Sequence, residues 1–216
     1  MTRKLCAEFI GTAMLLISVI GSGIMGVALS QGNDAIALLA NAIATGCMLF
    51  VIITVLGHIS GAHFNPAVSL AFFLRGELPM PMLAGFIAAQ VSGGIIGVWA
   101  AHLMFDLPML QVSQTLHRTG GAQWFSEALA TLGLLFVIFG GLRARPDAVP
   151  VLVALYITGA YWFTSSTSFA NPAVTFARGW SDTFAGIHPS HISMFIVVQL
   201  AAVLVAHKAL QALLDE

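Results

Sequence analysis

The stretch "SFANPAVTFAR", Ser168–Arg178, breaks an apolar chain with an Asn-Pro pair, and nearly the same break stands earlier as "AHFNPAVSLAF", Ala62–Phe72. Pro66 and Pro172 suit a first helical position, where the missing N–H costs nothing and φ is already helical. Asn65 and Asn171 precede them as N-caps. Ala67 and Ala173 then open short apolar stretches, "AVSLAFFLRGELP" ending near Arg75 and "AVTFARGWSD" ending near Gly179. Each allows roughly ten helical residues, or about 15 Å, so that two end to end make about one membrane thickness.

The rest of the chain supplies the membrane reading. Of its 216 residues, 58% are hydrophobic and 8% charged, against about 25% charged in an ordinary soluble domain. Apolar runs at Leu5 to Leu29, Ala35 to Leu56, Met82 to Phe105, Phe125 to Leu142, Val149 to Phe163 and Ile192 to Leu214 are mostly near the roughly 20 residues that cross a bilayer. The fifth is short, and Thr164 to Ser168 extend it if their hydroxyls bond back to helix carbonyls. The expected fold is an all-α membrane protein of six spanning helices and two re-entrant half-helices, with no separate soluble domain.

The first run is too long for a signal-peptide core and contains Glu8, so it reads as a span. A net charge of -1 gives no reason to expect nucleic acid as a partner. With six spans, Arg3, Lys4, Arg75, Arg143, Arg145 and Lys208 share one side and Arg118 and Arg178 the other, which predicts cytoplasmic termini. Cys6 and Cys47 lie within apolar segments and read as buried filler rather than a disulfide framework. The pattern calls for no cofactor and no resident metal.

The halves resemble each other. "AEFIGTAMLLISVIG" from Ala7 aligns with "SEALATLGLLFVIFG" from Ser126, which sets Glu8 opposite Glu127, and Gln90 falls opposite Gln199. The expected organisation is one channel domain over residues 1–216, built from inverted repeats at about 5–105 and 122–214. Three spans per half turn the second copy upside down, and such repeats place their site at the midplane where broken helices meet. Irregular backbone at that depth survives only against protein or a wet cavity, so "GHISGAHF" from Gly57 and "TSSTSFA" from Thr164 are expected to descend beside a polar path. Two facing helix N-termini bring positive ends there, which repel cations while Asn amides bind passing oxygens. Glu8 and Glu127 are costly intramembrane acids: either structural acceptors for the irregular backbone or a proton relay. Gly93, Gly94 and Gly97 read as close helix packing.

With "AEFIGT", "GHISGAHFNPAVSLA", "AAQVSGG" and "SFANPAV" in order, the sequence resembles the aquaporin, or major intrinsic protein, family over nearly its whole length. The resemblance implies a pore in each subunit, a homotetramer, a bacterial inner-membrane location, and a pore signature at Asn65, Pro66, Ala67, Asn171, Pro172 and Ala173. It also implies a second constriction of four positions, which fall by offset on Thr45, Gly159, Ser168 and Val174. Most of the family has arginine where this chain has Val174, so a wide, uncharged filter is expected, resembling members that pass metalloid hydroxides such as arsenite. Arg178, one turn beyond Val174, is either a displaced vestibule charge or an interfacial arginine that snorkels or pairs with Asp182. His63 either lines the inner mouth or makes a structural bond to backbone. His58 lies too far along to share a metal with it, His188 and His191 are expected in solvent at a loop-to-helix junction, and the loop between Phe105 and Trp124 has no readable role.

The function these features imply is a passive channel for water, glycerol-sized polyols and small neutral solutes across a lipid bilayer. Alternatives are a channel for weak acids or anions drawn by Arg178, a proton-coupled secondary transporter using Glu8 and Glu127, or a closed, adhesive pore. An intramembrane enzyme is disfavoured, since Ser165, Ser166 and Ser168 have no His or Asp partner that the sequence places beside them.

Overall fold

The computed structural model describes residues 1–214, and within them the regular structure is helical with no strand. Six long helices meet the length and hydropathy of membrane spans among the described residues. They are α1 (Thr2–Leu29), α2 (Asp34–Ser60), α4 (Met80–Met104), α5 (Gly121–Ala144), α6 (Val149–Phe163) and α8 (Pro189–Leu214). Two short ones, α3 (Pro66–Leu74) and α7 (Pro172–Arg178), follow the Asn-Pro breaks. At 9 and 7 residues both fall below the expected ten, because the chain turns at Arg75 and Gly179.

Local chemistry sets these limits. Asn33 caps α2 through its side-chain oxygen, which accepts from the Ala35 and Ile36 amides. Gly61, at φ 92°, ends α2 in the left-handed conformation that glycine adopts without a Cβ penalty. Helix α2 thus runs through Ser60, so Gly57 to Ser60 are helical rather than part of the descent. The expected extension of α6 through Thr164 to Ser168 is not made. Thr164 is extended, its hydroxyl donates to Ala160 O at 2.6 Å, and Thr167 and Ser168 take positive φ. The missing length comes from the other end, where a 3-10 turn at Pro146–Ala148 leads into α6.

Helix α1 packs along α2 and α4, α5 along α6 and α8, and α2 along α6. The half-helices cross over: α3 touches α4 and α8, and α7 touches α8, α4 and α1. Close approach of α1 to α4 needs bare backbone, since a Cβ on Gly93 would strike the Phe9 backbone and one on Gly97 the Ala13 backbone. The burial pattern inverts that of a soluble protein. Glu8, Gln90, Gln199 and Arg178 are among the largest fully buried side chains, while Phe50, Val55, Leu155 and Val205 face outward. Cys6 and Cys47, expected to be buried, are exposed on the outer faces. In a bilayer, apolar character suits either side of a helix and does not report burial.

Candidate functional site

The site is built on four strained turns. Ala62 and Phe64 before the first break, and Ser168 and Ala170 before the second, take positive φ between 47° and 52°. Each pair lies three and one residues before its Asn. Such a conformation costs a non-glycine residue on the order of 1–3 kcal/mol and persists only where the surroundings enforce it. Here a buried carboxylate enforces each. Glu8 accepts from the His63 amide at 3.0 Å, the Phe64 amide at 2.6 Å, Ser60 Oγ at 2.6 Å and Gln90 Nε2 at 2.8 Å. Glu127 accepts from the Phe169 amide at 2.8 Å, the Ala170 amide at 2.9 Å and Gln199 Nε2 at 2.6 Å. Each glutamine also reaches the half-helix, Gln90 donating to Ser69 Oγ and Gln199 to Thr175 Oγ1.

Asn65 and Asn171 each do two things. Asn65 Oδ1 caps its own helix by accepting from the Ala67 amide, and its Nδ2 donates to Ala170 O at 2.8 Å. Asn171 Oδ1 accepts from the Ala173 and Val174 amides, and its Nδ2 donates to Phe64 O at 2.8 Å. Each amide thus bridges to the carbonyl just before the other asparagine. A side-chain amide carries two N–H groups, so one on each remains for something else. Pro66, Pro172, Ala67 and Ala173 are buried in the first turns of α3 and α7.

Both asparagines line a cavity of about 220 Å³, room for several waters at roughly 30 Å³ each. It runs beside α6 from Val149 to Tyr161, a rise of about 18 Å at 1.5 Å per residue. Its lining is mostly apolar, with Leu15, Val19, Leu49, Leu134 and Ile138 among others, and its polar side chains include His63, Asn65, Ser168, Asn171 and Arg178. Ser168 Oγ is buried and has no hydrogen-bond partner within the protein, so its hydroxyl is left for the cavity. His63 bonds Ser69 Oγ through Nδ1 at 3.1 Å, a side chain rather than backbone, and stacks on Phe72.

Of the four expected filter positions, Thr45, Ser168 and Val174 line this cavity and Gly159 does not. Gly159 is exposed. Ile157 and Tyr161, four residues apart on one helix face, hold the lining instead, and Gly159 lies about 200° around the helix from either. Tyr161 is buried, and its hydroxyl is 3.2 Å from Thr45 Oγ1.

Arg178 corrects one of the two readings made of it, the interfacial arginine. It is 2% exposed, so it does not snorkel outward. It does not pair with Asp182, whose Oδ1 accepts from the Gln114 amide, the Thr115 amide and Thr115 Oγ1. Those bonds, led by the Gln114 amide, hold the Asp182 carboxyl below its ordinary range. Arg178 Nε donates to Ala185 O, and its guanidinium lies 3.5 Å from the Phe169 ring centroid. Since Arg178 lines the cavity, the wall is not free of charge as Val174 alone suggested.

Sequence reasoning missed Tyr161, Phe169 and Arg118. Arg118 lies 5.4 Å from the same Phe169 ring, and it donates from Nε to Gly186 O and from Nη2 to Phe184 O. It flanks the carbonyl that holds Arg178. The loop after α4 is therefore a clasp over the 179–188 segment, closed also by Ser113 N to Gly179 O and His188 N to Leu116 O. The one available signal was that Arg118 and Arg178 are the only cations on their side of the spans.

Known proteins resemble this chain in sequence and fold. The major intrinsic protein family matches residues 1–164. Over 215 residues the chain is 52% identical to aquaglyceroporin AqpS of Rhizobium meliloti (strain 1021), covering 100% of this chain and 91% of that one. It is 29% identical over 188 residues to the lens fiber major intrinsic protein of Gallus gallus, covering 81% and 69%. The X-ray structure of the aquaglyceroporin from Plasmodium falciparum superposes with a TM-score of 0.79 over 99% of this chain and 97% of that one, at 17% identity. With two half-helices meeting at a lined cavity inside six spans, and with these matches, the chain belongs to the major intrinsic protein family of integral membrane channels and is not an enzyme.

Proposed function

We propose that the chain is a passive channel for water and glycerol-sized neutral solutes, and that it also passes uncharged metalloid hydroxides such as arsenous acid. The observation that carries this reading is the pairing of Asn65 and Asn171 on one cavity, each amide holding the opposite half's carbonyl with one N–H to spare. A polyol carries both hydroxyls and a carbon chain, and the cavity lining supplies both a large apolar surface and a few polar side chains. The aquaglyceroporin name of AqpS, at 52% identity, points the same way.

The filter in this reading is Thr45, Tyr161, Ser168 and Val174, with Phe169 and Arg178 beside them. Val174 supplies no donors, where an arginine would bring five and a fixed charge. The Arg178 guanidinium is partly satisfied by Ala185 and faced by Phe169, so it is a weaker lure for anions than a free arginine. Glu8 and Glu127 serve as anchors for the turns rather than as a proton relay. The reading also includes inverted copies at 5–105 and 122–214, cytoplasmic termini in a bacterial inner membrane, and a homotetramer. The charge bias of Arg3, Lys4, Arg75, Arg143, Arg145 and Lys208 supports the orientation.

The test is stopped-flow permeation into proteoliposomes with water, glycerol, urea, arsenous acid and an anionic arsenical. Glycerol and arsenous acid are expected to pass and the anion to be excluded. Val174→Arg should slow glycerol and arsenous acid by more than tenfold while sparing water. Equal glycerol and arsenous acid rates in parent and variant would remove Val174 from the filter.

A further inference from the structure

The loop that clasps the outer end of the fold carries a feature the solute path does not use. His117, from the segment between α4 and α5, meets His188 and His191 from the start of α8, and one ring nitrogen from each lies within 4.8 Å of the others. We propose that these three imidazoles form a binding site for a borderline transition-metal cation of the zinc class, which fastens the 105–120 loop to the first turn of α8.

The donor geometry is close to what such an ion takes. His117 Nδ1 and His191 Nε2 are 3.1 Å apart. Four-coordinate zinc with bonds of about 2.0–2.1 Å sets its ligand atoms roughly 3.4 Å apart. That pair is already near coordination spacing: one N–H donates to the other nitrogen's lone pair, and a tautomer shift of the donor ring frees both nitrogens for an ion. His188 completes the set by swinging inward from its stack on His117, where the ring centroids are 4.6 Å apart. It has the freedom to do so, being only partly buried and on the last loop residue before α8.

The surroundings favour a metal over a mere polar cluster. Ser190 Oγ lies 2.8 Å from His188 Nδ1. The Ser190 backbone N–H donates to that same Nδ1 at 3.3 Å, so binding an ion through Nε2 moves the ring proton to Nδ1, where Ser190 Oγ accepts it, the outer-shell arrangement that fixes the tautomer of metal-bound histidines. The nearby carboxylate, Asp182, is occupied by the Gln114 and Thr115 amides and the Thr115 hydroxyl. A nitrogen-only donor set suits zinc, nickel or copper and not calcium or magnesium. The three residues come from segments about seventy positions apart, yet the frame between them is fixed. The His188 amide donates to Leu116 O at 2.8 Å, and Arg118 ties Gly186 and Phe184 to the same loop. Among the described residues, no other trio of His, Cys, Asp and Glu converges in this way.

An ion here acts on the channel through the clasp. His117 precedes Arg118, which holds the carbonyls of Phe184 and Gly186 on either side of Ala185, the acceptor of Arg178. A metal that cross-links His117 to α8 fixes the segment that sets the Arg178 guanidinium against the cavity. The cluster lies at the end of the molecule that the proposed orientation turns outward, within reach of external zinc.

The test is zinc chloride titrated by calorimetry into purified protein from which any histidine tag has been removed, in detergent, so that neither the orientation nor the solute reading enters. One ion per chain is expected, with affinity lost by at least about tenfold in His117→Asn, His188→Ala and His191→Ala, the lower range seen even for outer-shell changes. His58→Ala, an exposed histidine elsewhere, should bind as the parent does. Zinc should also raise the unfolding midpoint of the parent by a few degrees and leave that of His191→Ala unmoved, since only a ligand that binds the folded state stabilises it. Cobalt(II) should give the absorption of a nitrogen-coordinated ion in the parent alone. No saturable zinc binding by the parent below millimolar concentration, or equal binding by the parent and all three variants, overturns the proposal. All three cluster positions are at least partly exposed, and a gel-filtration profile matching the parent confirms that each variant is folded.

Discussion

Replacing Glu127 with glutamine keeps the shape of the side chain and changes only what it offers. The carboxylate accepts from the Phe169 amide on Oε1, and from the Ala170 amide and Gln199 Nε2 on Oε2. An amide has one oxygen. If that oxygen sits on the Oε2 side, the Phe169 N–H faces an NH2 group and is orphaned. If it sits on the Oε1 side, Gln199 can flip to present its own oxygen, but the Ala170 N–H is orphaned. No rotamer of either glutamine serves both backbone donors. A buried unsatisfied donor costs about 1–3 kcal/mol, and each of the two surviving bonds drops from the roughly 1.5–3 kcal/mol of a charged partner to about 1 kcal/mol, for a total loss of about 2–7 kcal/mol. The lost stability is concentrated on the turn that holds Ser168 and Ala170 at positive φ, so glycerol flux should fall together with stability. The assay is unfolding in mixed micelles alongside proteoliposome flux. A change below 1 kcal/mol with flux intact would show that the carboxylate does not enforce the turn. Gln199→Ala is the contrast: it removes the bonds to Glu127 Oε2 and Thr175 Oγ1 but leaves both backbone amides served, so stability should fall while the turn and the flux it sets are kept.

Gly97→Leu drives a side chain into the Ala13 backbone where α4 crosses α1; a loss of at least about 3 kcal/mol is expected, the upper end of overpacking penalties, read as a fall in the detergent unfolding midpoint. The depressed Asp182 carboxyl gives a pH signature. Because its folded value lies below the unfolded one, its contribution is fully present above pH ~4 and is lost as pH falls through the folded value. The protection factors of the Gln114 and Thr115 amides should fall as pH drops below ~4, and Asp182→Asn should show reduced protection already at neutral pH.

What the sequence made legible follows from contrast. In a chain this apolar, a carboxylate, a glutamine or an Asn-Pro break stands out against its neighbours, and each is expensive enough at membrane depth that it requires a partner. Hence the six spans, the two half-helices, and the pairings of Glu8 with Glu127 and Gln90 with Gln199 could be set down from letters alone. The failures occur where contrast vanishes. Cys6 and Cys47 sit on lipid-facing sides because a membrane helix is apolar all round. Gly159 was placed by counting back from Asn171. The count cannot know how the chain turns between Phe163 and Ala170, and that turn decides which face of α6 meets the cavity. Arg178 looked free to reach solvent or Asp182 because its acceptor is a backbone carbonyl, Ala185, which has no letter of its own. His117 and His188 are neighbours only because a backbone bond joins Leu116 to His188.

The crossed asparagines explain why the site needs both halves at once. Within one half, Asn65 Oδ1 caps α3 and Glu8 serves the His63 and Phe64 amides, but Phe64 O is left without a donor. Asn171 supplies that donor, and Asn65 returns the same service to Ala170 O. Each half therefore finishes the other's backbone accounting, as an unsatisfied carbonyl at this depth requires. The same exchange fixes where the two helix N-termini meet, so the positive ends, each equivalent to about half a charge, are held at one level of the cavity rather than sliding past each other. In the proposed reading, cation exclusion belongs to this midpoint rather than to the outer filter. On that reading Val174 leaves the filter free to widen for larger neutral solutes, while the barrier to cations and protons rests on backbone that Glu8, Glu127 and the paired asparagines hold in place.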